Sequence, residues 1–131
     1  MFGVRGAPGN TINHATSYWV GNHSTRVFGD SVDVVSGIGW DKVDPDNPAY
    51  RFVNVFRVVT NLGVFDFNGP DHQMRAVSLH PGIEPEQVAE NTAFEVHGLG
   101  EADTTRLPDA EELRILREVI DPKSLRDKEV K

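Results

Sequence analysis

Hydrophobic positions cluster most densely between Val58 and Phe67. Val58, Val59, Leu62, Val64, Phe65 and Phe67 form a β-branched and aromatic run that suits a buried strand. Asn61 and Gly63 interrupt the run, and a glycine inside a strand marks a bulge or a close backbone approach. Upstream, Phe52 to Val59 alternates imperfectly and feeds the main strand pair. Asn68-Gly69-Pro70-Asp71 is a turn. Ala76, Val77 and Leu79 predict a second strand, and His80-Pro81-Gly82 turns the chain again. Pro85 then opens a short helix, with Glu84 and Glu86 beside the positive end of its dipole.

The flanks are patterned differently. Thr11 to Val20 predicts a weak helix capped by Thr11. Thr25 to Phe28 and Val32 to Val35 predict two short strands, the second followed by the loop Ser36-Gly37-Ile38-Gly39. Asp41 to Pro48 is a turn-rich connection; its aspartates lack the alternate register, the glycine and the distal glutamate of a calcium loop. Asp109, with Glu112 three residues on, is a capping box. Leu113, Leu116, Val119 and Ile120 follow on one helical face, which predicts packing, and Asp121-Pro122 ends the helix. The sum is a strand-rich, mixed α/β chain with helices at the end.

At 131 residues there is room for one domain with a real core. The chain has no cysteine, which excludes disulfides, thiolate catalysis and cysteine-based zinc sites. No apolar run is long enough to span a bilayer, and Met1 to Asn10 has no secretory pattern. A cytoplasmic setting is expected. The net charge of −7 argues against nucleic acid or an acidic membrane as partner. The body uses Arg5, Arg26, Arg51, Arg57 and Arg75 against Lys42; such forks suit carboxylates and phosphates, or form surface ion pairs.

Two segments are candidates for chemistry. In Arg5 to His14, glycines permit close backbone approach. The amides of Gly6 to Asn10, the side chains of Asn10 and Asn13, and the Arg5 guanidinium together suit a carbonyl on which negative charge develops. Arg5 is the candidate catalytic residue; Gly6, Gly9, Asn10, Asn13 and His14 are candidate substrate contacts. The same stretch also reads as a tight turn capped by Asn and Thr. Ser36, Gly37 and Gly39 are the second set, at a strand end where open α/β sheets bind ligands, or in a plain turn. The five histidines show no metal spacing, so no metal site is expected. A Ser17–His14 or Ser24–His23 pair lacks an identifiable orienting acid. Tyr18, Trp19 and Trp40 read as core or interface, and His80 as a turn residue.

The stretch from Val58 to Val96 and the ending EELRILREVIDP at 111–122 resemble the beta chain of class I coenzyme A transferases. RGAPGNTINHATSYWVGNHSTRVF at 5–28 and VDVVSGIGW at 32–40 are more specific, and resemble the beta subunit of steroid-ring-cleaving hydrolases of bacterial cholesterol degradation. The resemblance implies an open α/β fold with a mixed or parallel sheet and flanking helices, of which this chain is the C-terminal part. It implies an alpha–beta heteromer, an acyl-coenzyme A substrate, and no cofactor beyond the coenzyme A carried by that substrate. The alpha subunit would supply a glutamate base for hydrolytic carbon–carbon cleavage of a ring ketone. True transferases carry a nucleophilic glutamate in a Ser-Glu-Asn-Gly-type motif, and none occurs here.

Three functions therefore stand side by side: a portion of the ring-cleaving hydrolase, a portion of an acyl-coenzyme A transferase of the 3-oxoacid or glutaconate kind, and a non-catalytic partner-binding remnant. The abrupt Gly-rich start suggests a piece of a longer or split subunit. Alone, the chain is expected to be inactive and to self-associate through apolar surface.

Overall fold

The computed structural model describes residues 6–129. Five strands form one mixed sheet in the order β1-β2-β3-β4-β5: β1 (Ala15–Val20), β2 (Asn54–Thr60), β3 (Gly63–Asp66), β4 (Arg75–Leu79) and β5 (Asp103–Thr104). β1 and β2 are parallel, β2–β3 and β3–β4 antiparallel, and β4 and β5 parallel. Helix α1 (Ala7–Asn13) precedes β1, α2 (Pro85–Glu90) follows β4, α3 (Ala110–Arg114) runs on as a π-helix through Ile115–Ile120, and α4 is Arg126–Glu129.

The dense apolar run is two strands, not one. Thr60 makes the difference: its Oγ1 accepts the amides of Leu62 at 3.0 Å and Gly63 at 3.3 Å, which folds the chain back after β2. Gly63 begins β3 because a Cβ there would lie 2.5 Å from the Ser78 carbonyl oxygen of β4. The imperfect alternation of 52–59 also has a cause. Thr16 pairs with Val55 but Ser17 with Arg57, so Phe56 bulges and the buried phase moves from Val55 to Val58.

The core lies where this hairpin and β4 meet α2. Val58, Leu62, Phe65, Met74, Ala76, Leu79, Val88 and Val96 form it, with Phe65 and Val88 fully enclosed. Gln87 fastens the start of α2 by accepting the Glu84 amide at 2.8 Å.

Four expectations are corrected. Residues 15–20 are strand β1, since Thr, Tyr, Trp and Val favour a pleated surface and pair with β2; the helix is Ala7–Asn13, with Pro8 in its first turn. Neither Thr25–Phe28 nor Val32–Val35 is a strand: the first is a turn closed by Val27 and Phe28 amides on the Ser24 carbonyl, and the second pairs with nothing among the described residues. Of the core-or-interface reading of Tyr18 and Trp19, core is excluded, since they are 42% and 63% exposed. The capping box of α3 forms, with Asp109 and Glu112 exchanging 2.8 Å bonds, but Leu116, Val119 and Ile120 beyond it are exposed and join no core among the described residues.

Candidate functional site

A cavity of about 610 Å³ opens beside β1 and β2. Its lining draws on distant parts of the chain: Tyr18 from β1, Val32 and the segment Val34 to Asp41, Val55 from β2, and Phe67 and Asp71 to Gln73 from the β3–β4 connection. The volume falls within the range usual for small-molecule sites, roughly 300–1,000 Å³. Ser36, Gly37 and Gly39 are in the lining. They sit on a loop rather than at a strand end.

Thr11 holds that loop. Its buried hydroxyl accepts the Ile38 amide at 2.9 Å and lies 3.1 Å from the Ala7 and Pro8 carbonyl oxygens in its own helix. A Cβ on Gly37 would come within 3.3 Å of the Thr11 methyl and 3.6 Å of the Tyr18 hydroxyl, so the absent side chain lets helix, strand and loop close together.

The N-terminal candidates lie on the first turns of a helix, apart from the cavity. Gly6 caps α1 and residues 7–13 are helical. The Asn10 amide is donated to the Gly6 carbonyl at 3.1 Å, so it is not available to a ligand. Asn13 Nδ2 is donated to the Gly9 carbonyl at 2.9 Å. Gly6, Gly9, Asn10, Asn13 and His14 are exposed and do not line the cavity; α1 supports the site from behind through Thr11. Arg5 lies outside the described residues.

Sequence reading missed the opposite wall. Trp40 stacks on His72 with ring centroids 4.3 Å apart and planes 13° from parallel. Asp71 and His72 both adopt left-handed backbone, φ 50° and 60°. Such conformations in non-glycine residues persist only where the surroundings impose them, and they cluster at ligand clamps. The available clue was the Gly69-Pro70-Asp71-His72 turn, since Asp and His tolerate that region better than most residues. Trp40 Nε1 is buried with no acceptor among the described residues. The lining carries two carboxylates, Asp41 and Asp71, and no Lys or Arg.

Three polar centres lie away from the cavity. His23 is buried, with Nδ1 3.0 Å from Thr60 Oγ1 and Nε2 2.9 Å from Thr92 Oγ1, and its ring stacks on Phe28 at 4.0 Å. Burial lowers its pKa to about 4. It is a neutral crosslink of the core with no carboxylate on either nitrogen, which leaves a Ser24–His23 catalytic pair without support. His80 is more than a turn residue: it reaches Thr105 Oγ1 at 3.0 Å and the Thr60 carbonyl at 2.9 Å. Buried Asp66 accepts both prongs of Arg75, at 3.1 and 2.8 Å, and the Asn68 amide and side chain; Arg57 stands 3.6 Å away. No cluster of acidic and histidine side chains fit for a metal occurs among the described residues.

No family model matches the chain. It is 73% identical over all 131 residues to the cholesterol ring-cleaving hydrolase IpdB subunit of Mycobacterium tuberculosis, covering 52% of that protein. The crystal structure of Rhodococcus jostii IpdAB superposes with a TM-score of 0.95 at 69% identity, over 100% of this chain and 53% of that one. One glutaconate CoA-transferase subunit, from Acidaminococcus fermentans, is 30% identical over 105 residues, covering 76% of this chain and 38% of that protein. The crystal structure of that transferase gives a TM-score of 0.81 at 27% identity, over 95% of this chain and 48% of that one. The fold is coenzyme A transferase-like. The resemblance drawn from residues 5–40 and 58–96 holds along the full chain, and it is far higher to the ring-cleaving hydrolase subunit than to the transferase subunit. The chain spans about half the length of the relatives it matches.

Proposed function

We propose that this chain is the beta-subunit portion of a heteromeric, cytoplasmic hydrolase that cleaves a ring carbon–carbon bond in a steroid-derived coenzyme A thioester. The supporting observation is the contrast in likeness: 73% identity over 131 residues to a ring-cleaving hydrolase subunit, against 30% over 105 to a transferase subunit. A cavity with an apolar, aromatic lining fits an alicyclic substrate.

In this reading the alpha partner supplies the glutamate base. Water adds to the ring ketone, the adjacent carbon–carbon bond breaks, the ketone carbon becomes a carboxylate, and the released carbanion takes a proton. With the Asn10 amide tied into its helix, carbonyl polarisation falls in this reading to Arg5 and the remaining amides of Gly6 to Gly9, while Ser36, Gly37 and Gly39 shape the substrate side. Incubating the chain with its alpha partner and a ring-ketone thioester, followed by mass spectrometry, tests this. Hydrolytic cleavage gives a product heavier than substrate by one water; transfer of coenzyme A to a second acid, or a glutamyl thioester trapped by hydroxylamine, supports the transferase instead. No reaction supports a binding remnant. The chain without its partner gives no turnover. Arg5→Ala lowers turnover of the complex by about 10²–10³-fold, and near-normal turnover removes Arg5 from the chemistry.

A further inference from the structure

We propose that Asn68 is a site of spontaneous deamidation, and that its product breaks the anchor that Asp66 gives to Arg75. Asparagine is a thermolabile residue, and Asn68 is the one asparagine of this chain followed by glycine. The others precede a side chain that crowds the attacking amide, or Pro48, which has no N–H. Asn68 is exposed, so base and water reach it. Hydroxide takes the Gly69 amide proton, the nitrogen attacks Asn68 Cγ, the Cγ–Nδ2 bond breaks and ammonia leaves. Water then opens the five-membered imide at either carbonyl and leaves aspartate or isoaspartate. The balance is one water in and one ammonia out, with no oxidant and no partner.

The fold both requires this reactive pair and restrains it. A Cβ on Gly69 would lie 2.7 Å from the Gln73 carbonyl oxygen and 3.2 Å from His97 Cδ2, so the turn closes only on glycine. The Gly69 amide is donated to that Gln73 carbonyl at 3.1 Å, and Asn68 Nδ2 to Asp66 Oδ2 at 2.7 Å. Nucleophile and leaving group are both engaged, so attack waits for the 68–73 turn to open. A surface turn of this kind opens at the low end of local unfolding energies. Opening is reversible until the ammonia is lost. Afterwards a carboxylate stands where the Nδ2 donor stood, against buried Asp66, and the like charges repel. Asp66 then keeps both prongs of Arg75 only by releasing residue 68. Isoaspartate, with one more backbone carbon, also moves the Gly69 amide off Gln73. The same connection carries Phe67 and Asp71 to Gln73 into the cavity lining, so the lesion reaches that wall.

The chain is aged in mildly alkaline buffer, digested with trypsin and mapped by mass spectrometry, where cuts after Arg57 and Arg75 release the peptide from Val58 to Arg75. The expected result is a gain of a single mass unit confined to Asn68. It accumulates at least about tenfold more slowly in the folded chain than in the same peptide after digestion. Asn68→Gln abolishes the gain, because its attack would have to close a six-membered ring. Asn68→Asp melts about 5 °C or more below Asn68→Ser, which removes the amide without adding charge. The aged fraction, one negative charge richer and isolated by anion exchange, gives the same comparison without a variant that has to fold. No mass gain at Asn68 while the free peptide converts, an equal rate in chain and peptide, or equal melting of Asn68→Asp and Asn68→Ser overturns the proposal.

Discussion

Thr11 Oγ1 stands 2.9 Å from the Ile38 amide nitrogen, and this one hydroxyl joins two segments 27 residues apart. Thr11→Val keeps the shape but leaves a partly buried N–H without an acceptor. Such a group costs about 1–3 kcal/mol. The expected outcome is a loss of that size in denaturant melts, because the bond ties the cavity-lining 36–39 loop to α1. Equal stability in Thr11→Val and wild type would remove the hydroxyl from this role.

Gly63 has no room for a side chain. The nearest atom to an added Cβ is a β4 backbone oxygen at 2.5 Å, which cannot rotate away. Gly63→Ala must therefore push β3 from β4 beside the fully buried Phe65. Overpacking of this kind costs about 1–3 kcal/mol. Gly9→Ala is the contrast: nothing lies within 4 Å and the position is helical, so stability holds or rises by a few tenths of a kcal/mol. Chemical denaturation of the two variants side by side checks the pair.

Trp40 presents the opposite situation, an N–H with no partner to lose among the described residues. Trp40→Phe keeps a ring to stack on His72 and removes a buried unsatisfied donor. We expect stability within about 1 kcal/mol of wild type, against the roughly 3–5 kcal/mol typical of a buried aromatic cut to alanine. A large loss in Trp40→Phe would show that the indole N–H has an acceptor after all.

The second half of the chain was readable because its signals are local. The Asp109–Glu112 box, the Gln87-fastened start of α2, and the turns at 68–71 and 80–82 each depend on residues within a few positions. The first half was not, because its structure is long-range. β1 exists by pairing with residues 54–60, and nothing within 15–20 states that partner. Val32, Val34 and Val35 are a β-branched run like a strand, yet they line the cavity and are exposed. Ser36, Gly37 and Gly39 were identifiable as an open loop, but Trp40 on His72, Thr11 under Ile38, and Asp66 under Arg75 are pairings that only the fold creates. Glycine content pointed to residues 6–10, and Pro8 turned them into helix.

Asp66 carries the main internal ion pair among the described residues. Burial alone would raise its pKa, but hydrogen bonds from the Arg75 guanidinium and the Asn68 amide and side chain outweigh it and hold the carboxyl below its usual range. Asp66→Ala removes these acceptors beside the core. Breaking a buried pair costs about 3–5 kcal/mol; Arg75 is 43% exposed, so water rehydrates its charge and about 2–3 kcal/mol is the expected loss. Asp66→Asn keeps the shape without the charge and falls between. Thermal melts that rank Ala below Asn below wild type support the pair; equal melts remove it.

The pH dependence of stability separates Asp66 from His23. His23 has its pKa lowered from 6.5 to about 4 by burial, so between those values the unfolded chain binds a proton that the folded chain refuses. Stability must then fall as pH drops from about 6.5 to about 4, and this contribution levels off below that. Two to three pKa units correspond to on the order of 3 kcal/mol at full extent. Asp66 acts in a lower window: its stabilisation is present above the unfolded carboxyl pKa and is lost as pH falls through the still lower folded value. The wild-type curve should therefore decline in two stages. His23→Gln, which does not titrate, should start from lower stability because the Phe28 stack and fitted imidazole are gone, yet run flatter between pH 6.5 and 4. Urea melts across pH 3 to 8 measure both slopes. An unchanged slope above pH 4 in His23→Gln would show that the His23 imidazole is already protonated within the fold.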